Sequence, residues 1–444
     1  MAGRALLVDL YELTMAQAYL DAGLADRPAT FSMVVRTLPE GWPWFVAAGI
    51  DDALRALEKL VFVEDDLAHL ESTGLFTAAL LDRLRGLRFS GDVRALPEGT
   101  LFFPDEPLLE VTGPVLEAQL VETVLLNVVH LHTLLASKAA RSVEAAQGRL
   151  LVEFGLRREH GGDAGLAAAR SSYLAGFDST SNVLAGKLSG IPVAGTMAHS
   201  FVEAFADELE AFRAFALSYP DRSILLVDTY DTVEGARRAA VVAGELAEHG
   251  HRLRGVRLDS GDLVELSGRV RAILDEAGFP DAMVFASGNL DEHEIERLLA
   301  AGAPIGGFGV GTRLGVSADA PYLDLAYKLV VFDGRPVLKL SPGKVSLPGA
   351  KQVFRVVEGG RFAYDALGLD DEAARPGASP LLEPVMAGGR RLAHGTLEEA
   401  RERCAAQRAA APPGPYEVRI SDALEALRAR AEEDVRRRHG SDPF

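Results

Sequence analysis

The sequence predicts an α/β protein organised on a parallel sheet of the TIM-barrel kind, preceded by an α+β module and followed by a β-rich segment. Three observations predict it. Between 149 and about 310, six short apolar runs alternate with amphipathic helical patterns, as strands joined by crossover helices do. Most of these runs end in polar residues, with Gly and Asp gathered at the ends, so that the ends form one rim. Beyond Tyr327 the rhythm changes to short strand-like runs broken by Gly and Pro turns. Six runs of this kind favour a barrel over an open sheet. The changes of rhythm divide the chain into an N-terminal α+β module, 1–114, a barrel with its rim, 115–328, and a β-rich C-terminal segment, 329–444, expected to pack with the module.

The N-terminal module opens on a helical pattern carrying Leu10, Leu13, Met15 and Ala18. It continues through strand candidates at 29–35 and 44–48 to a helical pair at 51–59 and 65–72, with turns at Pro39-Glu40-Gly41 and Pro97-Glu98-Gly99. A long helical segment follows at 115–147. Its most apolar part, 120–136, is interrupted by Glu122, Asn127, His130 and His132, which makes it a core helix and not a membrane span. His130 and His132 face different sides of that helix, so they read as core packing and not as a shared metal site. The six runs lie at 150–154, 191–194, 223–227, 255–258, 283–286 and 305–308. Between them, patterns such as Leu263, Leu266, Val270, Ile273, Leu274 and Ala277 keep one apolar stripe toward a sheet. The C-terminal segment offers strands at 329–332, 337–340, 353–357 and 362–364, a polar connection at 370–380, and a final helix at 420–438 with Leu424, Leu427 and Ala431 on one face.

A chain of 444 residues, 48% hydrophobic and 25% charged, has the composition of a soluble globular protein with a large core. Its formal net charge of -18 repels nucleic acid and anionic membranes, so neither is expected as a partner. Cys404 alone can form neither an intrachain disulfide nor a cysteine metal knuckle, which suits a reducing, cytoplasmic setting. Asp9 and Glu12 inside the apolar N-terminal stretch argue against a signal peptide.

The chemistry is expected on the rim. Gly195-Thr196-Met197-Ala198-His199-Ser200 follows the run at 191–194 and enters an apolar-periodic segment. His199 therefore stands between strand and helix, where parallel α/β folds place working residues. The first run end adds Glu153, Gly155, Arg157, Arg158 and His160, and the third adds Asp228, Thr229, Tyr230 and Asp231. Arg257, Asp259, Ser260, Gly261 and Asp262 follow the fourth. Ser287, Gly288 and Asn289 close the fifth run, and Gly309, Gly311 and Thr312 the sixth. Two consecutive glycine turns, each facing a helix, suit a phosphate held by backbone N–H groups. Arginines and aspartates on the same rim point to an anionic substrate that also needs a hard cation such as Mg²⁺.

Eight stretches then match something specific, in order along nearly the whole chain: LLVDLYELTMAQAYL, EFGLRREH, GFDSTSNVLAG, PVAGTMAHSF, VDTYDT, GVRLDSGDL, SGNLDEHEI and GFGVGTRLG. Together they resemble the nicotinate phosphoribosyltransferase family. The resemblance implies an irregular TIM-like phosphoribosyltransferase barrel of type II with an N-terminal α/β module, in a homodimer whose active sites are shared between subunits. It implies that nicotinate and phosphoribosyl pyrophosphate give nicotinate mononucleotide and pyrophosphate in NAD salvage, with ATP as co-substrate and Mg²⁺ as cofactor. His199 corresponds to the histidine phosphorylated by ATP. Arg257 and Asp259 correspond to the pair that contacts substrate, with Thr196, Ser200 and Asp228 beside them. Gly288, Gly309 and Gly311, with Ser287, Asn289 and Thr312, correspond to the turns holding the 5′-phosphate. Tyr11 corresponds to the tyrosine that stacks on the pyridine ring from the neighbouring subunit. Arg157 or Arg158 is expected to pair with the nicotinate carboxylate or with phosphate. Asn182 stands where the related nicotinamide-using enzyme has an aspartate, and an uncharged amide there favours the acid over the amide. The alternatives are that nicotinamide-using transferase, a decarboxylating quinolinate transferase, and a nucleotide-binding homologue without turnover.

Overall fold

The apolar runs in the middle of the chain become parallel strands. In a computed structural model describing residues 5–340, 346–412 and 414–439, five of them join one further short strand in a six-stranded sheet. The spatial order is Ser179–Thr180, Leu150–Glu153, Gly307–Val310, Met283–Ala286, Gly255–Leu258 and Ile224–Leu226, and every neighbouring pair is parallel. Central strands buried on both faces must be apolar throughout, and Gly307–Val310 is buried at every position. Phe285 and Phe308 are among the largest fully buried side chains of this region. Each contributes about 2–3 kcal/mol by burial.

Crossover helices follow most of the strands, and their starts share one device. Asp207, Asp231, Asp262 and Asp291 precede the helices Glu208–Ser218, Thr232–Glu248, Leu263–Glu276 and Glu292–Ala300, and each carboxylate accepts a first-turn N–H. Such a cap contributes about 1 kcal/mol and fixes where the rim ends and the helix begins.

The sheet departs from the expected closed ring. It is a curled, open arc. The run at 191–194 contributes only an isolated parallel bridge, Val193 to Thr180, that extends one edge. The edge strand Ser179–Thr180 has no apolar run to announce it, because its two residues are polar and buried.

The chain divides into two compact units, Leu135–Pro321, which holds this sheet, and a second made of Met1–Leu134 with Tyr322–Phe444. In the second unit, strands from the two ends of the chain share one seven-stranded sheet, three N-terminal strands in the centre flanked on each side by two C-terminal ones. Leu325–Phe332 pairs antiparallel with Pro28–Val35, which pairs with Pro107–Pro114. A four-stranded sheet gathers Ala378–Pro380, Lys351–Glu358, Arg361–Leu369 and Val418–Ile420. The strand expected at 337–340 is displaced to Arg335–Pro336, because Asp333 and Gly334, both at positive φ, close a tight hairpin there. The helical segment at 115–147 is two helices, Val115–Leu120 and Glu122–Ala146. Within the second unit, His130 Nε2 accepts the Leu323 N–H at 2.8 Å, and burial lowers its pKa, which keeps the ring neutral. No described helix is long and apolar enough to cross a membrane.

Gly235 shows how closely a crossover helix meets the sheet. A Cβ built there lies 2.2 Å from the Val227 carbonyl oxygen, which is backbone and cannot swing away. Gly235→Ala should therefore lower the denaturant midpoint at unchanged slope, by a destabilisation of roughly 1–3 kcal/mol. An unchanged midpoint would show that helix and strand separate freely.

Candidate active site

Arg257 stands where the run ends converge. It lies on the Gly255–Leu258 strand, in register with Phe285 on one side and Leu226 on the other. Its Nε donates to Ser287 Oγ at 2.7 Å, Nη1 to Thr196 Oγ1 at 3.0 Å and to the Met197 carbonyl at 3.3 Å, and Nη2 to Asp259 Oδ1 at 2.6 Å. Its guanidinium carbon lies 5.5 Å from the centroid of the Phe154 ring. Ser287 Oγ in turn donates to Asp259 Oδ1 at 2.6 Å. One planar cation thus joins the 195–200 turn, its own strand end and the 287–289 turn.

Burial pushes the Asp259 carboxyl upward, but the Ser287 hydrogen bond and the Arg257 charge outweigh it and hold the group below its ordinary value. Asp259 is therefore a carboxylate at neutral pH. Its second oxygen, Oδ2, lies 3.9 Å from His199 Nε2. His199 is the first residue of the helix His199–Glu203, and its Nδ1 lies 3.2 Å from Thr229 Oγ1. The imidazole is held at Nδ1 alone and its side chain stays 39% exposed, so a reactant can reach Nε2. Asp228 acts behind them: Oδ2 accepts the Asp259 N–H at 2.8 Å and the Ser260 hydroxyl at 2.7 Å, while Oδ1 is buried without a hydrogen-bond partner among the described residues.

Thr196, Arg257, Asp259 and Ser287 line a cavity of about 450 Å³ built from residues of the Leu135–Pro321 unit alone, whereas His199 and Asp228 stand beside it through Asp259 and do not line it. Gly288, Asn289, Gly309, Gly311 and Thr312 line one side. Gly288 has φ +93, and a Cβ there would lie 2.1 Å from the Asp259 carbonyl oxygen, so only glycine brings the turn this close to the catalytic strand end. Arg157 and Arg158 line the cavity from the short turn Leu156–Arg158, and both are exposed. Neither is held in an ion pair among the described residues, which leaves both charges to a ligand.

Two expected residues, Asn182 and Ser200, are placed away from the cavity, and a third, Tyr11, expected to come from a neighbouring subunit, lies outside this unit. Asn182 caps the helix Val183–Ser189 through Oδ1, donates from Nδ2 to the Gly165 carbonyl at 3.1 Å, and is 2% exposed. Its amide is fully used in the fold, and Ser181, one residue earlier, is the one that lines the cavity. Ser200 is exposed in the first turn of its helix and does not line the cavity. Tyr11 belongs to the other compact unit, on the helix Leu10–Asp21, 45% exposed. Burial, then the neighbouring Glu122 and Glu12 carboxylates, raise its phenol pKa, so it stays protonated.

Sequence reasoning missed Phe154 and Ser181 as cavity residues, and gave Met197 and Thr229 no role although it set both on the rim. Phe154 was visible as an aromatic at a strand end just before Gly155. Thr229 stood in a polar run end, yet nothing in the sequence showed that it meets His199. Among rim aspartates, Asp231 and Asp262 are helix caps, a role that composition cannot separate from ligand binding.

Beneath the Leu156–Arg158 turn sits a pair of carboxyls. Glu153 is fully buried and accepts the Thr180 hydroxyl at 2.6 Å and the Gly155 N–H. The Glu159 oxygens are also buried, closed in by Gly155, Gly165 and Gly315, where any Cβ would collide with the side chain. Burial first, then Glu153, push Glu159 up to about 8.

The rim defines a class before it defines a family: an α/β protein whose strand ends build an anion site around an Arg–Asp pair, two glycine turns and a histidine. Family models match residues 6–130 as the nicotinate phosphoribosyltransferase N-terminal domain and 150–343 as the nicotinate phosphoribosyltransferase family. The nicotinate phosphoribosyltransferase pncB2 of Mycobacterium tuberculosis is 50% identical over 431 residues, covering 95% of this chain and 92% of that protein. That of Bacillus subtilis is 43% identical over 357 residues, covering 79% of this chain and 72% of its own. The crystal structure of human nicotinic acid phosphoribosyltransferase superposes with a TM-score of 0.84 at 33% identity, covering 95% of this chain and 99% of the human one. The chain belongs to the nicotinate phosphoribosyltransferase family.

The Glu159 proton has a measurable consequence. The folded state keeps a proton that the unfolded chain releases above its ordinary pKa of 4.5, so this group's contribution is complete below 4.5 and lost as pH rises to about 8. Glu159→Gln should melt at nearly the wild-type temperature at pH 5 and lose less stability than wild type between pH 5 and pH 8. Parallel melting-temperature profiles would show that Glu159 carries no such proton.

Proposed function

We propose that the protein joins nicotinate to phosphoribosyl pyrophosphate, giving nicotinate mononucleotide and pyrophosphate for NAD salvage, in a reaction coupled to ATP hydrolysis through His199. The observation that carries this reading is the convergence of Thr196, Arg257, Asp259 and Ser287 on one cavity with two glycine turns, with His199 at its edge.

In the transfer step the bond from ribose C1 to pyrophosphate breaks as the pyridine nitrogen forms its own bond to C1. Positive charge builds on the ribose ring and negative charge on the leaving group, as in glycoside cleavage. The fixed guanidinium of Arg257 stabilises the leaving oxygens, and the Asp259 carboxylate faces the ribose. The pyridine nitrogen already has a lone pair, so no general base is required. Phe154 offers a ring face within the cavity, and exposed Arg157 and Arg158 offer charge to the nicotinate carboxylate. Ser181 puts an uncharged hydroxyl at the cavity, where a carboxylate would repel the acid.

Mg²⁺ fits the donor set, because Asp228 Oδ1, buried without a partner among the described residues, and the partly exposed Asp259 Oδ2 are hard oxygen ligands. When bound, the ion would offset pyrophosphate charge. For ATP coupling, the tautomer with its proton on Nδ1, facing Thr229 Oγ1, has the Nε2 lone pair of His199 as the nucleophile. The nitrogen–phosphorus bond forms as the bond to ADP breaks, and water later releases phosphate.

A homodimer with shared sites is supported by an apolar patch beside the rim. Val183, Leu184, Leu188 and Val193 are 73%, 52%, 62% and 56% exposed. They are contiguous, since Val193 Cγ1 would lie 2.5 Å from a Cβ at Gly186 between them. Exposed apolar patches of this kind mark association surfaces, and a second copy would bring its own Tyr11. A cytoplasmic setting without nucleic-acid or membrane partners completes this reading, supported by the formal net charge of -18.

Nicotinate and nicotinamide supplied at equal concentration should be consumed at clearly different rates, nicotinate faster; a nicotinamide rate equal or higher would sink the assignment. His199→Ala should keep some transfer activity and lose its stimulation by ATP, and equal ATP stimulation in the variant would remove His199 from the coupling. Leu188→Glu should shift the protein to monomer in sedimentation and abolish turnover; an intact dimer would move the interface elsewhere.

A further inference from the structure

The two glycine turns on the cavity belong to different strands, so something must keep their spacing. The first, 287–289, runs into Asp291 and Glu292; the second, 309–312, runs into Arg313 and, a turn later, Asp319. Arg313 Nη1 meets Asp291 Oδ2 at 2.7 Å, while Asp291 Oδ1 accepts the Glu294 N–H at 2.9 Å and caps the following helix. One carboxylate therefore fixes a helix start with one oxygen and the neighbouring turn with the other. Behind this pair, Lys138 Nζ lies 2.9 Å from Glu292 and 2.5 Å from Asp319. Arg141 Nη1 lies 3.0 Å and 2.8 Å from the same two residues.

Glu292, His293 and Asp319 bring possible metal-ligand atoms within 4.8 Å of one another. Lys138 and Arg141 already occupy the space between the two carboxylates, and a metal ion would have to displace both. The cluster is thus better read as a brace. The need for one is visible in the backbone: Gly288 and Asn289 both hold positive φ, at 93 and 52, a conformation that non-glycine residues adopt at a cost.

We propose that Asp291 and Arg313 are positioning residues that lock the two glycine turns into one rigid cradle for the ribose 5′-phosphate. Neither lines the cavity, so neither touches substrate. Their effect is on where the Gly288 and Gly311 backbones stand. The inference rests on the reading that phosphoribosyl pyrophosphate binds at these turns.

The test uses the full-length protein with phosphoribosyl pyrophosphate and nicotinate, following pyrophosphate release. Asp291→Asn keeps the helix cap, since asparagine caps as well as aspartate, and removes the charge; Arg313→Gln removes the other partner. The pair is partly exposed, and such pairs contribute little to folding, so both variants should remain folded. Each should raise KM for phosphoribosyl pyrophosphate by roughly five- to tenfold, with kcat and the nicotinate KM within about twofold. The double variant should be no worse than the worse single one, because both remove the same link, and Arg313→Lys should recover part of the loss. Unchanged KM in both single variants, or additive effects in the double, would overturn the positioning role while leaving the functional reading intact. No pyrophosphate release by the unaltered protein would overturn that reading and this inference with it.

Discussion

A guanidinium with only 11% of its side chain exposed must find acceptors for its donors, and the acceptors available to Arg257 determine the shape of the rim. Three of them, Thr196, Asp259 and Ser287, come from three different segments, and the Met197 carbonyl adds a fourth contact. Charge-assisted bonds of this kind contribute on the order of 1.5–3 kcal/mol each when an ionised group is involved. The turns therefore cannot drift apart without exposing a buried charge. His199 inherits its place from this network, because Asp259, fixed by Arg257 and Ser287, stands beside one imidazole nitrogen and Thr229 beside the other.

The same economy governs the rest of the charge. With a formal net charge of -18 the protein repels anionic substrates at a distance. Within a Debye length, about 8 Å at physiological salt, the local cations decide. Arg157 and Arg158 are left to meet a ligand, whereas Arg257 is already satisfied and serves as a fixed electrostatic wall. Carboxylates divide in the same way. Asp207, Asp231, Asp262 and Asp291 start helices, Asp228 braces a loop, Glu153 and Glu159 share a buried site, and Asp259 faces the chemistry.

Alternation of apolar runs with helical stripes was enough to read the parallel sheet and most of its strands, because strands buried on both faces leave a continuous apolar record. It did not reveal Ser179–Thr180, whose residues are polar, nor that 191–194 would make a single bridge. Whether six runs close into a ring depends on register and stagger, and neither leaves a mark on periodicity. At the site, the strand-end residues Arg257, Asp259, Ser287, Gly288 and Gly311 were legible, since a polar residue after a buried strand has few places to go. Asn182 was not, because a helix cap and a specificity residue look alike in sequence and differ only in where the amide points. Phe154 reads as core in sequence and becomes cavity wall only once Gly309 leaves room beside its ring.

What distinguishes this rim from a passive phosphate pocket is the histidine at its edge, reachable by solvent and set between a hydroxyl and a carboxylate. The most direct measurement is incubation with γ-labelled ATP followed by peptide mapping. Acid-labile label on the peptide containing His199, absent from His199→Ala, is the predicted result. Acid-stable label elsewhere in the chain, with none at His199, would contradict it.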